Sequence, residues 1–139
     1  MLIKKTHNPN LNNIIETFKN YLDFRNISFK NIDDNVIAFE AENLNMLFAI
    51  DSEDKSYIRI LVPKIDSVLE LEKDDWCKLA EINSNYKVAK IVQIGNDLWI
   101  TCELFIYSGE LLELLFNRMI LACRTIYEAY VNYKKQSNK

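Results

Sequence analysis

Over residues 98–107 the chain alternates without a break. Leu98, Ile100, Cys102, Leu104 and Ile106 take one side, and Trp99, Thr101, Glu103, Phe105 and Tyr107 take the other. Successive side chains of a strand point to opposite faces. This period therefore specifies a strand with one aliphatic face for a core and one face rich in rings. A chain with such a strand must build a sheet and cover its aliphatic side.

The remaining periodicities supply the other parts. Residues 27–63 run with period two, giving candidate strands at 28–32, 36–42, 44–51 and 57–62. Asp33-Asp34-Asn35 and Asp51-Ser52-Glu53-Asp54 serve as turn clusters, because Asp and Asn side chains bond their own backbone. Glu42-Asn43 is a tight connection, which implies antiparallel neighbours. A further strand at 87–94 is joined to 98–107 around Gly95-Asn96. Leu11, Ile14, Ile15, Phe18 and Leu22 mark a helix over residues 9 to about 25, opened by Asn8-Pro9. An acidic start with Asp66, Glu70, Glu72, Asp74 and Asp75 leads a helix over 66–85, whose regular part begins near Asp74.

Ser108 caps a last helix over 109–134. Sixteen of the 23 residues from 111 to 133 are apolar or aromatic, more than one buried stripe needs. That helix must meet the sheet on one side and something else on another, either the first helix or a second subunit. A homodimer is the expectation. The fold class is α+β, an antiparallel sheet with helices packed on it, in the order α-β-β-β(-β)-α-β-β-α. The 139 residues suit one domain, over 6–135, with 1–5 and 136–139 as frayed ends.

Charge and composition exclude several classes. Seventeen basic and 20 acidic side chains give a net charge of −3. Residues 1–70 hold 8 and 11 of them and residues 71–139 hold 9 and 9, so neither half forms a phosphate track for nucleic acid. Two glycines leave no phosphate-cradling loop. Cys77, Cys102 and Cys123 are odd in number and far apart, as suits reduced thiols. The opening MLIKKTHNPN has no secretory pattern, and the longest uncharged stretch, 6–15, is ten residues, half what a membrane span takes. A cytoplasmic protein without a membrane partner is expected.

No residue set names a reaction. His7 is the only histidine, and zinc-spaced cysteines are absent, so neither metal nor cofactor is expected. Cys102 and Cys123 lie in apolar runs that keep thiols inert, and Cys77 has acidic neighbours. A nucleophile would have only His7 as its histidine base. The pairs Asp33/Asp34, Asp51/Glu53/Asp54 and Asp74/Asp75 offer carboxylates but no calcium-loop spacing, and acids of this kind are more often plain solvated turns.

The surface is more informative. Trp99, Phe105 and Tyr107 stand opposite the aliphatic face, with Tyr57, Arg59 and Leu61 on the matching face of a neighbouring strand. If every helix covers the aliphatic side, these residues form a partner surface, since exposed aromatics with Arg mark interfaces. Alternatively Trp76 or a loop covers them. Tyr127, Tyr130 and Tyr133 admit the same two readings, with packing and outward hydroxyls as the second.

The element order and the stretch Glu81-Ile82-Asn83-Ser84-Asn85-Tyr86-Lys87-Val88-Ala89-Lys90 resemble the YbjN-like proteins, a family of candidate sensory transduction regulators whose fold resembles that of type III secretion chaperones. Asn83 and Asn85 hold the family's turn, Ala89 its incoming strand, and Ser108 its terminal-helix start. The resemblance implies a non-catalytic, chaperone-like module, often dimeric, that holds a protein segment extended. A protein-binding module or regulator that engages an extended peptide or partner protein is thus expected, not an enzyme. Trp99, Phe105, Tyr107, Tyr57 and Arg59 are its candidate partner-binding residues. Two rivals stand beside it: a regulatory domain with a ligand pocket between terminal helix and sheet, and an immunity-type inhibitor whose acidic turns face a basic toxin.

Overall fold

A computed structural model describes residues 13–106 and 111–138. It contains α1 (Ile14–Phe24), β1 (Phe29–Asp33), β2 (Val36–Ala41), β3 (Leu44–Ile50), β4 (Tyr57–Ser67), α2 (Lys73–Asn85), β5 (Ala89–Ile94), β6 (Asp97–Phe105) and α3 (Leu112–Ser137). The six strands form one antiparallel sheet in the order β1-β2-β3-β4-β6-β5. This is the α+β architecture that the alternating periods require, with the fourth strand of the first half present. No described helix is long and apolar enough to cross a membrane.

Local chemistry sets the boundaries. Asn26 ends α1 in the left-handed region at φ 59°. Its N–H donates to Asp23 O and that of Ile27 to Leu22 O, the paired bonds of a Schellman motif. The Asn8-Pro9 opening of α1 and the Ser108 cap lie outside the described residues. Glu42 and Asn43 both take positive φ, 54° and 63°, as a two-residue type I′ hairpin demands. The Glu42 carboxylate is held 2.6 Å from Nη1 of Arg124 on α3. At the start of α2 the Glu72 N–H donates to Asp75 Oδ2 at 2.9 Å, so Glu72, Asp74 and Asp75 form the helix start, whereas Asp66 lies in β4 and Glu70 ahead of the helix.

Several expected boundaries move: the helix expected from 66 begins at Lys73, and β5 begins at Ala89 rather than 87. β4 does not stop before Pro63 but runs to Ser67. The pairing of β3 with β4 ends at Leu47 and Leu61, and a bulge interrupts the β4–β6 ladder between Val62 and Asp66. Proline is tolerated where the ladder is already broken. The last helix reaches Ser137 rather than ending near 134.

All three described helices lie on the aliphatic side. Phe18 of α1 stacks on Phe48 of β3 with ring centroids 3.9 Å apart, and Phe116 of α3 meets both edge-on. α3 crosses β4, β5 and β6 with α1 and α2 beside it, and α2 also packs on β5. Ile37, Phe48, Ile58, Ile60, Leu98, Ile100 and Cys102 are fully buried beneath them. The broad apolar arc of α3 is thus shared among the sheet and two helices, with Leu114 and Leu121 left exposed.

Candidate partner-binding face

The opposite side of the sheet carries no described helix. The strand registers write out its side chains in rows. One row is Lys30, Ala38, Leu47, Leu61, Thr101 and Lys90; the next is Val36, Ala49, Arg59 and Glu103; Tyr57 and Phe105 close the end. Ala49 and Thr101 are buried, while Leu47, Tyr57, Arg59, Leu61 and Trp99 stay half-buried and Phe105 is 54% exposed.

Three of the five candidate residues come together. Tyr57 pairs with Phe105 across the β4–β6 ladder, their ring centroids 4.9 Å apart, and Arg59 follows one row on, between Ala49 and Glu103. Trp99 lies six residues from Phe105 along β6, roughly 20 Å away at strand rise. It faces Val92 on β5, beside the Pro63 bulge. Tyr107 lies outside the described residues. Trp76 is 40% exposed on α2, on the helix side of the sheet, and is not a cover for this face. A shallow notch of about 440 Å³ opens where β3 and β4 diverge, lined in part by Ala38, Asn45, Leu47 and Pro63. Leu47 and Ala49 extend the face and are absent from the candidate residues. Their signal was the inward run Leu44, Met46, Phe48, Ile50, which sends the apolar residues between them outward.

The other candidates resolve into packing. Tyr130 is buried and its hydroxyl donates to Asp66 Oδ2 at 2.6 Å; burial first, then that bond, pushes its pKa up. Tyr133 donates to Asp75 Oδ1 at 2.6 Å, which raises the phenol to about 12. Asp75 sits below the usual carboxylate range because it accepts the Glu72 N–H, then the Tyr133 hydroxyl, with Lys134 nearby. A cleft of about 730 Å³ lies between these groups, at the start of α2 and the end of α3, rather than between α3 and the sheet. There Phe116, Met119, Cys123 and Ile126 fill the space. The Cys123 thiol is pushed up by the hydrogen bond to Cys102 and by burial, so it stays protonated. Among the described residues no group of three or more His, Cys, Asp or Glu is placed to hold a metal ion.

The acidic turns meet at one end of the sheet, tied by Ile50 N–H donating to Asn35 O. Their carboxylates mostly serve the backbone. Asp33 accepts from Asn35, Asp51 from Glu53 and Asp54, and Asp54 from Ser56, whose hydroxyl and N–H hold it below the usual range.

Around β5 the backbone is held more tightly than composition suggests. Val88 takes φ 75°, and Ala89 N–H donates to Lys87 O in a three-residue γ-turn. The Asn83 side-chain amide then bonds both N–H and O of Ile91, each at 2.8 Å, in the manner of a seventh strand. Lys90 Nζ donates to the carbonyls of Asn83 and Tyr86 at 2.6 Å, a cation on the last turn of α2.

This arrangement of six strands and helices has a solved counterpart. The structure of YbjN, a candidate transcription regulator from E. coli, superposes with a TM-score of 0.61 over 86% of this chain and 93% of that one, at 14% identity. The fold is YbjN-like. No protein-family model matches the sequence, and no curated protein matches it. The Asn-containing turn that carries the resemblance is, in this YbjN-like fold, the clamp of Asn83 on Ile91.

Proposed function

We propose that this chain is a non-catalytic, cytoplasmic binding module of chaperone-like or regulatory type, which engages an extended peptide or partner protein on the helix-free face of its sheet. One observation carries the reading. A face with Leu47, Leu61, Tyr57, Phe105 and Trp99 on it, and Arg59 at its middle, has no described helix over it. Large apolar faces without a cover mark interaction sites, and aromatic residues with Arg dominate interface energetics. The likeness to a candidate regulator agrees with this. We also propose a homodimer through α3, whose Leu114 and Leu121 stay exposed; light scattering that reads a single 16.4 kDa species overturns it.

The test is affinity capture from native cells with the wild-type chain, Trp99→Ala, Phe105→Ala and, as control, Leu121→Ala. A partner retained by wild type and control but lost from both ring variants, at unchanged circular dichroism, supports the reading. The same proteins on all four chains, or a Trp99→Ala chain that no longer folds, removes it. Raising the salt separates this from an acidic-turn inhibitor, whose binding collapses as charge is screened.

A further inference from the structure

The helix-free face has a cation that no described residue pairs with. Arg59 takes part in none of the ion pairs among the described residues, and its Nε is buried without an acceptor. The carboxylate opposite it does not serve. Glu103 accepts the Thr101 hydroxyl at 2.7 Å instead. Lys90, also on this face by register, spends two of its three donors on the Asn83 and Tyr86 carbonyls at the end of α2. The apolar and small neighbours of Arg59 are Ala49, Leu61 and Tyr57.

We infer that Arg59 reads a carboxylate: the extended partner segment presents an Asp or Glu side chain to it, with apolar side chains two residues to either side. The inference rests on the docking role proposed above and adds the chemistry of the partner. A guanidinium is a planar fork that matches a carboxylate by two parallel hydrogen bonds. A carboxylate that draws Arg59 outward supplies the acceptor that Nε lacks, so it gains more than it would from an arginine already paired. Once the bound segment covers Ala49, Leu61 and Tyr57, the exclusion of water strengthens that pair relative to one in open water. An extended segment turns alternate side chains to one face. Its neighbours at two residues' spacing then fall over Leu61 and Leu47 on one side and over Tyr57 and Phe105 on the other.

The probe is a displayed library of random linear peptides selected on the full-length chain, then on Arg59→Gln, Arg59→Lys and Arg59→Glu. Wild type is expected to enrich an acidic residue flanked at ±2 by apolar ones. Arg59→Gln keeps the apolar pattern and binds the wild-type winners about tenfold or more weakly, as loss of a charge-assisted bond requires. Arg59→Lys is intermediate, and Arg59→Glu turns the preference to basic peptides. Apolar winners without an acid overturn the inference and leave the docking role standing. An acid preference that persists in Arg59→Gln also overturns it. No enrichment on wild type, or a chain whose own second copy covers the face in light scattering and is released by Trp99→Ala, removes the docking role itself.

Discussion

Val88 is the residue at which sequence and conformation disagree most. A β-branched side chain is disfavoured at positive φ, yet Val88 holds φ 75° and is 48% exposed, so it gains little by burial. The clamp of Asn83 on Ile91 and the anchoring of Lys90 hold the corner in place. Strain of this kind persists only where neighbours over-determine it. Val88→Gly should therefore raise stability by about 1 kcal/mol, the left-handed penalty less the added chain entropy of glycine. Urea unfolding checks it: the midpoint rises with unchanged slope, and a fall in midpoint means the valine methyls matter more than the strain. Nothing in the residues around 88 announces this turn. Glu42-Asn43 was legible as a tight connection from its two short, alternating flanks, but the pairing of Glu42 with Arg124, 82 residues away, was not.

Elements are legible in the sequence where a period is clean and less so where a tertiary partner decides. β6 and β3 follow their alternation almost residue by residue. β4 passes Pro63 because its neighbour β3 has already ended its pairing, which no local rule reveals. The start of α2 looked loose because it holds many acids, yet one of them, Asp75, ties α2 to α3. Its folded pKa lies below the usual carboxylate range. The tie is therefore present above the unfolded carboxylate pKa and is lost as pH falls through the folded one. Tyr133, raised to about 12, keeps its side of the tie until pH climbs past the ordinary tyrosine range. Asp75→Asn should be less stable than wild type at neutral pH, with a gap that shrinks in acid; a gap independent of pH overturns this. Asn83→Ala strips two backbone groups of Ile91 of their partners. Thermal melting should show a loss of about 1–3 kcal/mol, whereas an unchanged midpoint would mean that water replaces the amide.

The whole molecule is one sheet with two unequal faces. Phe48 lies under α1 and α3, whereas Leu61 stands on the side without a described helix. Phe48→Ala should cost about 3–5 kcal/mol and Leu61→Ala under about 2 kcal/mol, both from urea unfolding. Equal losses would mean that something covers Leu61. Which face is covered was half-legible. The aliphatic alternation named the core side, but whether rings on the other side meet a helix depends on where α2 and α3 settle. The two edges of the sheet are unequal as well. Along β5 the amide of Asn83 occupies the middle of the border, while β1 has β2 as its single neighbour among the described strands. Border-to-border association of such a molecule is disfavoured beyond a pair: two copies joined along β1 would turn outward, at both ends, a margin whose Ile91 groups are already taken. A chain with both margins open could grow into a fibre.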